Sequence, residues 1–261
     1  MPVVLCRSDP ALCRYRSELI EVSVVTQNSL DVSLFADGAD LDAIRALAAN
    51  PLIRGFTTNP TLMRQAGITD YATFCKEALD IVGDRPLSLE VFSDEFDEME
   101  RQARILASWG PNVYVKIPIT NTRRESSCPL VGRLSREGIR VNVTAMLTTE
   151  QVEESVAALA GGAAGYISVF AGRIADAGID PIPTMRRSLE IMAGSPQLEL
   201  IWASPREVLN VVQAHEIGCH IITATPDILK KLPTLGKDLN EFSLDTVKMF
   251  ANDAITAGFQ L

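Results

Sequence analysis

Eight short runs rich in β-branched and other apolar residues recur along this chain, separated by longer stretches with helical spacing. The runs are VSLFA (32–36), LIRGFTT (52–58), LSLEVF (87–92), VYVKIP (113–118), IRVNVTA (139–145), GYISVF (165–170), LELIWAS (198–204) and CHIITA (219–224). Between them lie stretches such as DLDAIRALAAN, YATFCKEALDIV, EFDEMERQARILASW, TTEQVEESVAALAGG, IPTMRRSLEIMAG and PREVLNVVQAHEIG. Strand and helix in alternation imply parallel strands joined by right-handed crossovers. Eight such units point to a closed (β/α)8 barrel more than to an open doubly wound sheet. The helices carry their own punctuation. Ser93 and the acids after it suit an N-cap, Thr148 and Gln151 have capping-box spacing, and Gly218 suits a helix stop. SLDTVKMFANDAITAGF reads as a further amphipathic helix. The expected organisation is a weakly structured N-terminal extension over 1–30, a barrel over 31–236 and a helical tail over 237–261.

A formal charge of −9 and a pI near 4.8 argue against nucleic acid or an anionic membrane as the main partner. An anionic substrate would then need specific arginines to hold it. No apolar run approaches the roughly 20 residues of a membrane span. The five cysteines are scattered and form no CxxC pair, so they read as free thiols in a reducing compartment, and a cytoplasmic location is expected. The only histidines are His215 and His220, one in a helical stretch and one at a strand start. Chemistry built on clustered histidines, whether zinc or Ser–His–Asp, is therefore not expected, and no metal or cofactor is called for.

In a barrel, chemistry sits where strands end and loops begin. Polar residues gather there: Asp37 after the first run, Thr57, Thr58 and Asn59 after the second, and Glu90 in the third. Asn142 and Thr144 lie in the fifth, Ser168 in the sixth with Arg173 beyond it, Ser204 and Arg206 at the seventh, and Thr223 and Thr225 at the eighth. Lys116 stands inside VYVKIP, where a lysine needs a partner or a purpose. From that strand alone, a tip that escapes at the strand's end is favoured over a reactive amine. Parity adds a constraint: Tyr114, Lys116 and Pro118 share one face, and Asn142 and Thr144 share one in the next strand. If both faces look inward, an amine, carboxylates, hydroxyls and an amide converge, which is what Schiff-base chemistry needs.

Several motifs also resemble those of the transaldolase family. GFTTNPTLM resembles its TTNPS/T signature, VYVKIPIT its lysine strand, and VNVTAMLTTEQ its fifth strand. ISVFAGRIADAGIDP resembles its sixth strand with the GRI loop, and WASPREVLNVVQAHEIGCHIIT its last two units. The resemblance runs in order through most of 32–232. It implies a metal-free barrel that forms a lysine Schiff base with a ketose phosphate. Lys116 would be the nucleophile, Asp37 and Glu90 the proton-handling carboxylates, and Thr144 the holder of a catalytic water. Asn59 and Asn142 would bind substrate hydroxyls or steady the intermediate; Ser168, Arg173, Ser204 and Arg206 would hold the phosphate end. Related fructose-6-phosphate aldolases carry glutamine where this chain has Glu90 and tyrosine where it has Phe170, so transfer is favoured over simple cleavage. An aldolase-like lyase, a transaldolase-like enzyme of a specialised sugar pathway and a non-catalytic sugar-phosphate binder are the alternatives. Small family members often form rings, which implies a homo-oligomer, a pentamer or decamer among the options. Two stretches depart from the family pattern: TNTRRESSCPLVGRLSREG after the lysine strand, and Pro205 between Ser204 and Arg206.

Overall fold

The computed structural model describes residues 25–260; most of the expected N-terminal extension, together with Cys6 and Cys13, lies outside them. The chain divides into two compact units, and Gln27–Thr234 holds the barrel. Its strands are β1 (Ser33–Asp37), β2 (Ile53–Thr57), β3 (Leu87–Glu90), β4 (Val113–Pro118), β5 (Val141–Met146), β6 (Gly165–Val169), β7 (Leu198–Trp202) and β8 (Ile221–Ala224). All pair in parallel with their sequence neighbours, and β8 closes on β1. All eight strand-like runs are strands, as the alternation predicts.

The helices are α1 (Leu41–Ala48), α2 (Pro60–Gln65), α3 (Tyr71–Val82), α4 (Phe96–Ala107), α5 (Cys128–Arg136) and α6 (Thr149–Leu159). They continue with α7 (Ala171–Asp176), α8 (Pro181–Met192), α9 (Leu209–Glu216) and α10 (Pro226–Leu229). Thr148 and Gln151 form the expected capping box on α6, and α9 stops before Gly218 at φ +75°. The N-cap of α4 is Glu95 rather than Ser93. Ser93 Oγ instead accepts from the Glu95 N–H at 3.1 Å and shapes the turn before the helix. Helix α5 has no clean sequence signal because Pro129 and Gly132 interrupt it. Proline is tolerated in the first turn. A side chain at Gly132 would lie 2.7 Å from the Ala158 carbonyl oxygen, so glycine lets α5 approach α6.

The barrel floor explains another glycine. Phe35, Tyr114, Tyr166, Ile201 and Ile221 fill the interior below the strand ends. Tyr114 and Tyr166 stack at 3.9 Å, and Phe35 meets Tyr166 edge-on at 5.9 Å. Gly55 pairs with Phe35 across β1 and β2, and a Cβ there would fall 2.4 Å from the Phe35 ring. Gly55→Ala is expected to destabilise the barrel by about 1–3 kcal/mol, the usual range for an overpacked core. Chemical denaturation checks this, and an unchanged midpoint would contradict it.

The second unit contains α11 (Leu239–Ala257), capped by Asp238, which accepts from the Asn240 and Glu241 N–H groups, and ended by Gly258 at φ +67°. None of its residues is buried; Leu239, Phe242, Val247, Phe250 and Ile255 are exposed. Among the described residues no helix is long and apolar enough to cross a membrane.

Candidate active site

Strand alternation places a polar layer above the aromatic floor. Two residues beyond Phe35, Tyr114, Tyr166 and Ile221 stand Asp37, Lys116, Ser168 and Thr223, on the same inward parity. Register then sets the neighbours. Glu90 pairs with Lys116, and Lys116 with Asn142, on three adjacent strands. Lys116 does not escape at the strand's end. Only 7% of the residue is exposed, and its Nζ lies 3.1 Å from Glu90 Oε2 and donates to the Thr58 carbonyl at 3.3 Å. Removing one member of such a pair would leave the other charge buried and uncompensated. The Tyr71 hydroxyl donates to the Glu90 carbonyl at 2.7 Å and holds the end of β3.

Asp37 lies across the same cavity. Thr57 Oγ donates to Asp37 Oδ1 at 2.7 Å and contacts Thr223 Oγ at 2.6 Å. With its one proton committed to Asp37, Thr57 accepts from Thr223. Burial lifts the Asp37 carboxyl above its ordinary 3.8, outweighing the attraction of Lys116 and the Thr57 hydrogen bond. A raised carboxyl is held protonated more tightly by the folded chain than by the unfolded one. Its contribution to stability is therefore full below the unfolded pKa and lost as pH rises through the folded one. Asp37→Asn should melt higher than the parent at neutral pH, and the gap should close on acidification towards 3.8. Paired melting curves across pH test the sign; a gap that widens in acid would refute it.

Asn142 is fully buried, donates to Ser88 Oγ at 3.0 Å and accepts from Ser168 Oγ at 2.7 Å. Thr144 Oγ is buried with no hydrogen-bond partner among the described residues. Just after it, β5 bulges: the pairing with β6 shifts between Val143 and Met146, and Ala145 takes φ +62°. The extra residue turns both Thr144 and Ala145 to the cavity.

At the mouth, Asn59 caps α2 by accepting from the Leu62 N–H at 3.0 Å, and its amide NH2 group has no hydrogen bond among the described residues. Arg173, on α7, makes no ion pair among the described residues. Ser204 takes φ +61°, and its carbonyl lies 1.6 Å from where a Cβ on Gly172 would stand.

The family model described as transaldolase/fructose-6-phosphate aldolase matches residues 34–261. The chain belongs to this family. It is 37% identical over 218 residues to a probable transaldolase 2 of Listeria monocytogenes, covering 82% of this chain and 95% of that one. A probable transaldolase of Thermoanaerobacter sp. is 37% identical over 202 residues, covering 77% and 89%. Among solved structures, an HpcH/HpaI aldolase/citrate lyase family protein from Burkholderia cenocepacia superposes with TM-score 0.54 at 14% identity, covering 84% of this chain and 95% of that one. Dihydrodipicolinate synthase from Rhodopseudomonas palustris gives 0.53 at 12% identity, covering 90% and 82%. At such identities these likenesses speak for the barrel fold alone.

In this transaldolase-family barrel, nine of the ten residues to which the resemblance gives a role line one cavity of about 450 Å³: Asp37, Asn59, Glu90, Lys116, Asn142, Thr144, Ser168, Arg173 and Ser204. Arg206 does not line it. Its guanidinium is paired with Asp176 and donates to Ser204 Oγ at 3.1 Å. Ser168 sits deep beside Asn142 and commits its proton there, away from the mouth. The arginine-rich departure after β4 also turns away. Arg123 pairs with Asp94, Glu95 and Glu125, and neither it nor Arg124 lines the cavity. His215 and His220 accept from the backbone N–H groups of Asp31 and Leu200, outside the cavity. Ser88, Tyr71 and Asp176 were not singled out from sequence. Ser88 shares the parity of Glu90 in LSLE, a signal that would have found it. Tyr71 and Asp176 sit on helices, where nothing in the sequence links them to strand residues.

Proposed function

We propose that the chain is a transaldolase, moving a dihydroxyacetone unit from a ketose phosphate to an aldose phosphate through a Schiff base on Lys116. The observation that carries this reading is the buried Lys116 paired with the half-buried Glu90 inside a cavity that also holds Asp37, Asn142 and Thr144. Lys116 Nζ, once its proton has passed to Glu90, attacks the C2 carbonyl and gives a carbinolamine. Protonation of the new hydroxyl and loss of water give the iminium. Asp37 takes the C4 hydroxyl proton as the C3–C4 bond breaks, its electron pair moving into an enamine and the aldehyde leaving. The enamine adds to the acceptor aldehyde, and hydrolysis returns free lysine. Thr144 holds the water through which Glu90 acts, and Asn59 and Asn142 bind hydroxyls or steady the intermediate. Arg173 and Ser204 supply the charge and hydrogen bonds for the phosphate, which the acidic chain otherwise lacks.

Incubation with fructose 6-phosphate and borohydride, then peptide mapping, tests this. A dihydroxyacetone-sized adduct on Lys116 supports it. A folded protein that is never labelled by any of a panel of ketose phosphates refutes it. A carboxylate at Glu90 can take and return a proton where an amide cannot, which supports transfer. Donor consumption that does not depend on an acceptor aldehyde would instead indicate a lyase. The exposed apolar residues of α11 support a homo-oligomer in which a second copy covers that helix. Light scattering on Phe250→Asp checks it, and an unaltered mass or a monomeric parent would count against it.

A further inference from the structure

We infer that Tyr71 is a positioning residue for Glu90: its hydroxyl supplies the ladder hydrogen bond that Pro60 cannot make, and so fixes the carboxylate against Lys116. This rests on the Schiff-base reading given above, in which Glu90 moves the proton. The ladder between β2 and β3 shows the gap. The Phe56 N–H donates to the Pro86 carbonyl at 2.8 Å, and the Thr58 N–H to the Ser88 carbonyl at 3.2 Å. Bonds in a parallel ladder come from alternate residues, so the next would run from residue 60 to the Glu90 carbonyl. Residue 60 is proline, which has no N–H, and it already opens α2. The Tyr71 hydroxyl donates to that carbonyl instead, at 2.7 Å.

The peptide between Glu90 and Val91 is then held from both sides. Its C=O accepts from Tyr71 on the β2 side, and its N–H donates to the Lys116 carbonyl at 3.0 Å on the β4 side. Glu90 is thereby tied through its main chain to the residue whose Nζ its carboxylate meets at 3.1 Å. Two hydrogen bonds on one peptide also polarise each other. Tyr71 is itself well fixed. It opens α3, where Asp70 accepts from the Thr73 N–H at 3.0 Å. Its ring lies against Phe92 with centroids 5.3 Å apart, and the Phe92 N–H donates to the buried Gln102 side chain at 2.9 Å. Burial lifts the Tyr71 hydroxyl above its ordinary pKa, so it stays a donor across the working pH range. Tyr71 does not line the cavity, so its influence on the reaction passes through the Glu90 main chain.

The test is a double-mutant cycle on fructose 6-phosphate, read as kcat, KM and the rate at which borohydride traps an adduct on Lys116. Tyr71→Phe removes the hydroxyl and keeps the ring against Phe92, so the fold should hold. It should lower kcat and the trapping rate about tenfold to a hundredfold, the scale for reacting groups displaced by about 1 Å, with KM within about twofold of the parent. In the Glu90→Gln background, where no carboxylate remains to be placed, the same change should cost less than about twofold. Phe92→Leu, which loosens the ring but leaves the hydroxyl, should show a smaller loss confined to kcat and serves if Tyr71→Phe folds poorly. An unchanged kcat in Tyr71→Phe, whatever its Tm, would overturn the inference, because Tyr71 would then serve stability alone. An equal loss in both backgrounds would overturn it too, because Tyr71 would then act on something other than the carboxylate. A parent that no ketose phosphate labels fails as a transaldolase and takes the inference with it. A labelled parent indifferent to Tyr71→Phe leaves that reading standing and removes the inference alone.

Discussion

Lys116→Arg should lower turnover by about 10⁴-fold or more while the protein still folds, since loss of a covalent nucleophile removes the reaction path rather than one contact. Arginine keeps a positive charge opposite Glu90, so the half-buried carboxylate is not left without a partner. The open cavity beside Nζ gives the longer side chain room. A guanidinium does not deprotonate in proteins and cannot form the Schiff base. Steady-state transfer assays alongside a melting curve read both halves of the expectation. Substantial activity in a folded variant would remove Lys116 from the mechanism.

The largest loss of stability is expected from Gly172→Ala. A Cβ there would lie 1.6 Å from the Ser204 carbonyl oxygen and 2.7 Å from its carbon, and backbone atoms cannot swing aside as a side chain can. Ser204 is already at φ +61°, a region that non-glycine residues seldom adopt. Either α7 or the end of β7 has to move, breaking the 3.3 Å bond from the Gly172 N–H to the Ala203 carbonyl. A penalty of about 3 kcal/mol or more is expected, at the upper end for overpacking. For a chain of this size that lowers Tm by roughly 6–12 °C. Calorimetry decides it; a Tm within a degree of the parent would mean the loop is far softer than its packing suggests.

The barrel was legible because periodicity is a backbone property repeated eight times, and each repeat corroborates the next. That Lys116, Asn142 and Thr144 share one cavity was legible for the same reason: strand parity converts sequence spacing into a shared face. Loops carry no such rule. Arg206 and Ser168 have suitable chemistry, and nothing in the sequence tells that one turns to Asp176 and the other to Asn142. The Asp176–Arg206 pair was hidden because it depends on how a helix meets a loop thirty residues further on. Helix α5 was obscured by a proline and a glycine whose presence only tertiary packing explains.

The paired register of Glu90, Lys116 and Asn142 has a bearing on engineering. Their spacing is the rung spacing of a parallel ladder, about 4.8 Å per strand, held by backbone hydrogen bonds that no substitution other than proline removes. The relative placement of these three proposed reacting residues is therefore inherited with the scaffold. Libraries aimed at new aldehyde acceptors are best confined to Asn59, Gln65, Phe170 and the Ser204 loop, where the cavity wall can be recast without disturbing the reacting groups.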